Sequence, residues 1–143
     1  MGRHGQEGQL PNIEVRHETG DRYRVLIRGH EVAVDQPVAD GGSDTAPTPT
    51  ELLVAGLAAC TAFNAGRFLG KHGVPTGGLR VDCAFEMASD APPRVERVQL
   101  SVVSPPGLSE AQRKALRRVI EHCTVHNTLD RPPSITIELN SAE

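Results

Sequence analysis

Apolar and polar residues alternate along the first part of the chain, with the period of two that is typical of half-buried β-strands. The first alternating run covers residues 13–17, the second covers 23–27 and the third covers 32–34. The short segments ETGD and RGH separate these runs and are typical of turns. The pattern predicts a three-stranded antiparallel meander.

A polar loop and a long apolar helix are predicted next. Residues 36–49 are rich in Pro, Gly, Asp and Thr, and loops of this length in compact domains are often functional. Thr48 and Glu51 form a capping-box pattern that predicts the start of a helix, and Gly73 suits its end. Residues 52–66 carry no charge and are apolar on all sides through position 62, so we expect a buried central helix.

The second half of the chain predicts a hairpin, a helix and a strand. Residues 79–87 alternate as a half-buried strand does, and residues 95–102 suggest an antiparallel partner with a bulge. Ser109 and Gln112 form a second capping box. The apolar face of the helix that follows collects Ala111, Ala115, Leu116, Val119, Ile120 and Cys123, and a last strand carries Ile135, Ile137 and Leu139. The predicted order is βββ-α-ββ-α-β, an α+β fold with two helices against antiparallel sheet.

Length and composition indicate one domain with a lean core. In this chain of 143 residues we expect a disordered tail over residues 1–12 and a single domain over residues 13–143. The chain has no Trp, one Tyr and three Phe. Its core is therefore aliphatic and alanine-rich, and we expect it to need a partner subunit to exclude water.

Charge and hydropathy exclude several classes of function. A net charge of −3 with scattered basic residues argues against nucleic-acid binding. Residues 1–12 lack the apolar core of a signal peptide. As a helix, the uncharged run would span about 22 Å, short of a ~30 Å hydrocarbon layer. We therefore expect no membrane segment and take a cytoplasmic location as the default.

Three cysteines, Cys60, Cys83 and Cys123, are the candidate reactive groups. They form no CxxC motif, so they are not a secreted disulfide framework and are expected to be free thiols, metal ligands or redox-active groups. Cys83 lies on the apolar face of a predicted strand and is expected to pack as a small hydrophobe. Cys60 and Cys123 fall on helix faces that should pack together. They could form a disulfide if their Cα atoms lie within ~7 Å.

Other residues near Cys60 and Cys123 in the sequence could take part in their chemistry, and each also has a structural explanation. His122 and His126 flank Cys123, where an imidazolium would lower the pKa of the thiol, although surface histidines that suit the helix dipole explain the pattern better. The two helix cysteines with these histidines are zinc-type ligands, but their spacing fits no standard zinc site, so no metal is expected. Glu51 could orient a cationic group, but it lies about 13 Å from Cys60 along a helix, and capping already explains it.

Two segments together carry a family resemblance. PTPTELLVAGLAAC, which ends at Cys60, is followed by HCTVHNTL around Cys123, and then by prolines and the final predicted strand. This combination resembles the OsmC/Ohr family, which contains thiol-dependent organic hydroperoxide reductases and osmotically induced relatives. The resemblance covers about residues 13–139. It implies an OsmC-like α+β fold in which antiparallel sheets wrap two central helices, and an intertwined homodimer with active sites at the interface.

The resemblance also implies roles for particular residues. Cys60 is similar to the peroxidatic cysteine of the family, which attacks an organic hydroperoxide and becomes a sulfenic acid. Cys123 is similar to the resolving cysteine, which forms a disulfide that an external dithiol of lipoyl or other type reduces. Arg22 resembles the arginine that stabilises the thiolate, with Arg24 and Arg28 as alternatives. No cofactor is implied.

One position departs from the family pattern. Thr50 stands where the hydroperoxidases carry the glutamate that pairs with this arginine, and Glu51 follows one residue later, about 100° around the helix. The leading hypothesis is an OsmC-like thiol peroxidase that defends against oxidative stress through Cys60 and Cys123, with Arg22 and Glu51 as further candidate site residues. The alternatives are a non-catalytic protein that binds a small apolar or acyl ligand, and a thiol redox sensor.

Overall fold

The computed structural model describes residues 13–142, and the chain divides between Leu53 and Val54 into two compact units. The predicted tail, residues 1–12, lies outside the described residues. A single OsmC-like domain over residues 13–143 stays a prediction. The two units are described in turn.

The first unit contains the predicted meander. Its strands are β1 (Ile13–Thr19), β2 (Arg22–Ile27) and β3 (His30–Val34), which form one antiparallel sheet in the order β1-β2-β3. The register pairs Val15 with Val25 and Val25 with Val32, so the alternating apolar residues share one face, as strand geometry requires. The sequence prediction is confirmed.

The long loop after β3 is compact and fixed by its own backbone. It contains one 3-10 turn, Val38–Asp40, and the N–H of Asp35 donates to the carbonyl of Pro47 at 3.1 Å. The chain approaches itself so closely at Gly42 that a Cβ there would overlap the backbone of Gln36. Glycine at this position is therefore a steric requirement.

Helix α1 (Pro49–Lys71) begins and ends where the sequence predicts. The N–H of Glu51 donates to the Thr48 hydroxyl at 3.0 Å, and the N–H of Thr48 donates to the Glu51 carboxylate at 2.8 Å. Both bonds of the capping box are therefore present. Gly73 follows the helix with φ of 66°, the left-handed conformation that ends helices.

The burial predicted for α1 is only half right. One face is buried and carries Val54, Leu57, Thr61, Ala65, Phe68 and Leu69. The other face is exposed in the single chain: Ala55, Gly56 and Ala59 are exposed, and Phe63 is 58% exposed. The prediction of burial on all sides through Ala62 is wrong for this chain, because its own elements cover a single stripe of the helix.

The second unit contains a two-stranded antiparallel sheet, β4 (Arg80–Met87) with β5 (Val95–Val103). The pairing register shifts between Glu86 and Met87, as the predicted bulge requires. One sheet face is apolar and is incompletely covered, with Phe85 36% and Met87 48% exposed.

Two helices follow, where the sequence predicts one. Helix α2 (Glu110–Ile120) has both capping-box hydrogen bonds between Ser109 and Gln112, which confirms its predicted start. It ends before Cys123, which the sequence places on its apolar face, and a separate helix α3 (Thr124–Asp130) begins there. The element order of the described residues is therefore βββ-α-ββ-α-α.

The predicted last strand does not form in the single chain. No secondary structure is assigned to residues 132–140, and Ile135, Ile137 and Leu139 are 78%, 91% and 98% exposed. A strand exists only where a neighbouring strand accepts its backbone hydrogen bonds, and none of the described residues does so for this segment. The prediction is wrong for the chain by itself.

The core of the second unit joins α1 to α2. Ala65, Phe68, Leu69 and Leu116 form one buried cluster, with Val74, Leu79 and Leu108 among the residues packed against it. By length and composition alone, α1 could cross a membrane, with a mean hydropathy of 1.5. The core helices of soluble proteins meet the same criterion, and the buried face of α1 is a core face of this kind.

Candidate active site

Helix α1 places Cys60 one turn after Leu57 on the side of the buried face, where the thiol is half-buried. Cys123 is fully buried, at 0% exposed. Both are free thiols. They lie close enough for the thiol of Cys123 to form a hydrogen bond that lowers the pKa of Cys60. The structure therefore brings together the two cysteines that the sequence singles out.

Cys123 lies at the junction between α2 and α3. Its backbone is extended, with φ of −73° and ψ of 158°, and its sulfur accepts a hydrogen bond from the N–H of His126 at 3.3 Å. The thiol is therefore the N-cap of α3, a place where serine or aspartate is more usual. Thr, His and Asn, which follow it, are weak helix formers, so continuing α2 through this segment gains little and the break is tolerated.

The pKa of Cys60 is lowered from its ordinary value of 9.0, first by the backbone N–H of Val125. The thiol of Cys123 and the backbone N–H of Thr124 lower it further, against partial burial, which raises it. These groups are the first residues of α3 and its cap. The start of a helix carries unpaired N–H groups and a partial positive charge, which favour a thiolate. Cys60 is thus the thiol most ready to ionise.

The two histidines lie beside this site without setting its electrostatics. The ring of His126 pairs with Asp130 at 3.7 Å, and His122 is exposed. The groups that lower the pKa of Cys60 are backbone N–H groups and a thiol, and neither imidazole is one of them. This arrangement favours the surface interpretation for His122, which follows the end of α2. His126 is half-buried in the first turn of α3, where the helix dipole does not favour an imidazolium, so the dipole interpretation is wrong for it.

Cys83 lies apart from this pair. It occupies the apolar face of β4, opposite Leu100 of β5, and partial desolvation raises its pKa. It is nevertheless exposed in the single chain, so the expected packing of Cys83 is wrong for this chain. The reason is the incomplete cover of the β4–β5 face noted above.

The three candidate arginines have different environments in the first unit. Arg22 begins β2, pairs with Glu18 at 3.0 Å and donates to the Thr45 hydroxyl at 2.8 Å. Arg24 is held by Glu31 through two hydrogen bonds, of 2.7 and 3.0 Å. Arg28 lies after the end of β2 in a left-handed turn with φ of 49°, so it does not share a strand face with Arg22. Of the three, Arg22 is held by the long loop after β3, through Thr45.

Glu51 serves the start of α1. Its carboxylate is exposed and accepts the N–H of Thr48, which agrees with the capping interpretation. Within residues 13–142, Arg22 forms its ion pair with Glu18 and none with Glu51. In the part of the chain that the structure describes, no group of three or more His, Cys, Asp or Glu side chains could hold a metal ion.

Sequence reasoning missed two features of the site region. One is the cap of α3, because the apolar spacing of α2 continues through Cys123 and hides the break. The other is Asp35, a carboxylate only 1% exposed at the end of β3. An acidic residue that directly follows an alternating strand and opens a long loop was the available signal.

Comparison with known proteins identifies the fold. The OsmC family, described as OsmC-like protein, matches residues 41–138. A structure from Psychrobacter arcticus, a candidate osmotic-stress and detoxification protein, has a TM-score of 0.76 at 23% identity, with 83% of this chain and 88% of that chain covered. An organic hydroperoxide resistance protein OsmC from Legionella pneumophila has a TM-score of 0.63 at 19% identity, covering 84% and 90%.

A third relative is an organic hydroperoxide resistance protein from Elizabethkingia anophelis, with a TM-score of 0.57, 20% identity and coverage of 83% and 88%. At these identities the solved structures show the fold. No curated protein matches the chain. The OsmC match spans well over half of the chain and includes both Cys60 and Cys123. The chain therefore belongs to the OsmC family of OsmC-like proteins.

Proposed function

We propose that this protein is a thiol-dependent reductase of organic hydroperoxides that acts through Cys60 and Cys123. The observation that carries the proposal is the cysteine pair at the start of α3, where backbone N–H groups and the Cys123 thiol lower the pKa of Cys60. A thiolate is the form of cysteine that attacks a peroxide. Membership of the OsmC family supports the same reaction class.

The first step oxidises Cys60. Its thiolate attacks the distal oxygen of the hydroperoxide, the O–O bond breaks, and the alkoxide leaves and takes up a proton as an alcohol. The sulfur loses two electrons to the peroxide and becomes a sulfenic acid. The lowered pKa of Cys60 increases the fraction of the attacking form near neutral pH.

The second step uses Cys123. Its thiol displaces hydroxide from the Cys60 sulfenic acid, which releases water and forms a Cys60–Cys123 disulfide. An external dithiol, of lipoyl type or another thiol, then reduces this disulfide by exchange and is itself oxidised. The need for such a dithiol is consistent with the cytoplasmic location expected from the sequence.

Arg22 is the proposed charge partner in this reaction. A guanidinium would stabilise the Cys60 thiolate and the oxygen that leaves the peroxide, because both carry negative charge. Its contacts with Glu18 and Thr45 support Arg22 over Arg24, whose guanidinium is committed to Glu31. Glu51 is retained as a candidate for orienting Arg22, in addition to its capping role.

Turnover of cumene hydroperoxide with dihydrolipoamide tests the reaction. We expect the wild type and Cys83→Ser to form cumyl alcohol at similar rates, and Cys60→Ser to show only the uncatalysed rate. Cys83 is the matched control, since it is a free thiol outside the pair. Equal and negligible turnover in the wild type and Cys60→Ser would reject the catalytic proposal. A co-purified lipid without disulfide formation would then favour the ligand-binding alternative.

We also propose that the protein is a homodimer. Several apolar surfaces are uncovered in the single chain: Phe63 on α1, Phe85 and Met87 on the β4–β5 face, and the segment that carries Ile137. Monomeric proteins rarely leave apolar surfaces of this extent exposed to water, and a second copy would cover them. The guanidinium of Arg67 lies 4.5 Å from the centre of the Phe63 ring, so a charged side chain borders the apolar surface at this point.

Sedimentation equilibrium tests the homodimer. We expect the wild type to sediment as a dimer and Phe63→Asp to shift it toward the monomer, because the substitution places a charge on the apolar face of α1. Glu96→Lys changes an exposed charge on β5 and is expected to leave the dimer intact. A monomeric wild type at micromolar concentration would overturn this proposal without touching the chemistry of the cysteine pair.

A further inference from the structure

The proposed reaction does not use a buried carboxylate at the end of β3. Asp35 accepts hydrogen bonds from the N–H of Gln36 at 2.7 Å, the N–H of Thr45 at 3.0 Å and the hydroxyl of Thr45 at 2.6 Å. The Thr45 hydroxyl is the largest of the influences that lower the pKa of Asp35 to about 2. The group is therefore a carboxylate at every physiological pH, and the loop folds around it.

Thr45 links this carboxylate to Arg22. The Thr45 hydroxyl has one proton, which it donates to Asp35, so its lone pairs are left to accept from Nη1 of Arg22 at 2.8 Å. The same Nη1 also reaches the Thr45 carbonyl at 3.3 Å. Charged groups at the two ends of such a chain polarise its hydrogen bonds in the same direction. Asp35 thereby fixes the orientation of the Thr45 hydroxyl, and the hydroxyl in turn fixes the position of the Arg22 guanidinium.

The guanidinium is consequently held on two edges. Glu18 accepts from Nε at 3.0 Å, and Thr45 accepts from Nη1. In the described part of the chain, no residue accepts a hydrogen bond from Nη2. Here one nitrogen, with two N–H groups, is left for a further acceptor.

We propose that Asp35 and Thr45 are positioning residues that hold Arg22 with Nη2 available to a negatively charged group in the peroxide reaction. The inference rests on the proposed function, in which Arg22 stabilises the Cys60 thiolate and the leaving oxygen. Asp35 touches no reacting atom and acts through Thr45. In this proposal, the loop of residues 36–48 places the Thr45 hydroxyl where it accepts a hydrogen bond from Arg22.

Substitutions at Thr45 separate this role from a structural one. Thr45→Val keeps the shape and the N–H to Asp35 but removes the hydroxyl, and Thr45→Ser restores it. Ser43→Ala is the matched control, because Ser43 contributes only its backbone N–H to Asp35. The side-chain Nη1–H signal of Arg22, whose acceptor is the Thr45 hydroxyl, is measured by NMR. The kinetic constants kcat and KM are measured for cumene hydroperoxide.

We expect Thr45→Val to broaden the Arg22 Nη1–H signal and to lower kcat/KM about tenfold, the usual effect of losing one hydrogen bond to a charged group. Thr45→Ser and Ser43→Ala should behave as the wild type. In an Arg22→Ala background, Thr45→Val should cause no further loss, since its effect passes through the arginine. Asp35→Asn should broaden the same signal if Thr45→Val fails to fold.

Three results would overturn the inference. An unchanged Arg22 signal in Thr45→Val would show that Thr45 does not hold the arginine. A lost signal with unchanged kinetics would show that the position of Arg22 is irrelevant to the reaction. A full tenfold loss in the Arg22→Ala background would show that Thr45 acts by another route. Failure of the proposed function is distinct, since a wild type without turnover removes the reaction whatever the NMR signal does.

Discussion

Cys123 has three roles in the proposed reaction, and a pair of substitutions separates disulfide formation from the other two. Its sulfur accepts the N–H of His126 as the cap of α3, and its thiol lowers the pKa of Cys60. It is also the proposed resolving thiol. Cys123→Ser keeps a hydroxyl that can cap and donate but cannot form a disulfide, whereas Cys123→Ala removes all three functions.

The expected magnitudes follow from these contacts. A hydrogen bond to a charged acceptor contributes about 1.5 kcal/mol at the lower end of its range, which is about one pKa unit. In Cys123→Ala, the pKa of Cys60 should therefore rise by about one unit, and its thiolate fraction at neutral pH should fall. Loss of the cap should also destabilise the fold by ~1 kcal/mol. In Cys123→Ser both effects should be small, since serine is a favoured N-cap.

Alkylation measures the first effect directly. In a Cys83→Ser background, the rate at which iodoacetamide modifies Cys60 is followed by mass spectrometry from pH 5 to pH 10. The thiolate is the reactive form, so the midpoint of the profile reports the pKa of Cys60. We expect matching profiles for the background and Cys123→Ser, and a midpoint about one unit higher for Cys123→Ala.

Two outcomes would refute this reasoning. Midpoints in the serine and alanine variants that both equal the midpoint of the background would show that the Cys123 thiol does not stabilise the thiolate. An equal rise in both would show that sulfur itself is required, which the hydrogen-bond argument does not allow. Disulfide formation after stoichiometric peroxide provides the internal check, since neither variant can form it.

Further predictions concern charge and packing. At neutral pH, iodoacetamide should modify Cys60 faster than the more exposed Cys83, because the pKa is lowered at Cys60 and raised at Cys83; mass spectrometry of both peptides measures the ratio, and the reverse order would contradict the assignment. The pKa of Asp35 is lowered from 3.8 to about 2. The carboxylate therefore stabilises the fold fully above pH 3.8, and this contribution to the free energy of unfolding is lost as the pH falls from 3.8 to about 2. Urea unfolding should show this loss in the wild type and a smaller one in Asp35→Asn. Leu69→Ala should lower the free energy of unfolding by about 2–5 kcal/mol, because Leu69 is 0% exposed in the core cluster.

Local signals made much of the fold predictable. The meander follows from period-two alternation, and the starts of α1 and α2 follow from capping boxes at Thr48 and Ser109 whose hydrogen bonds are all present. Each of these features depends on residues within a few positions of each other. Such contacts form in any surroundings, so the sequence alone was sufficient to predict them.

Features that depend on distant contacts were not predictable in the same way. The buried position of Cys123 keeps the helical spacing of α2, so the sequence pattern cannot distinguish a continued helix from a break that the thiol caps. In the link from Asp35 through Thr45 to Arg22, the bond between Arg22 and Thr45 joins residues 23 positions apart, and no periodicity marks it. The helix faces of Cys60 and Cys123 predicted that the two thiols could meet, and the family resemblance then implied their roles.

The segment of residues 134–140 has the alternating pattern of a β-strand but forms no strand in the single chain. Alternation shows that a segment can form a half-buried strand, but the strand forms only when a neighbouring strand pairs with its backbone. If a second copy supplies that neighbour, only one face of the segment becomes buried. Ile137→Asp should then dissociate the dimer, whereas Thr136→Asp on the opposite face should not. Hydrogen exchange should show protection of the segment in the wild type at dimer-forming concentrations. Rapid exchange throughout, with both variants still dimeric, would place the segment outside the interface and leave its alternation unexplained.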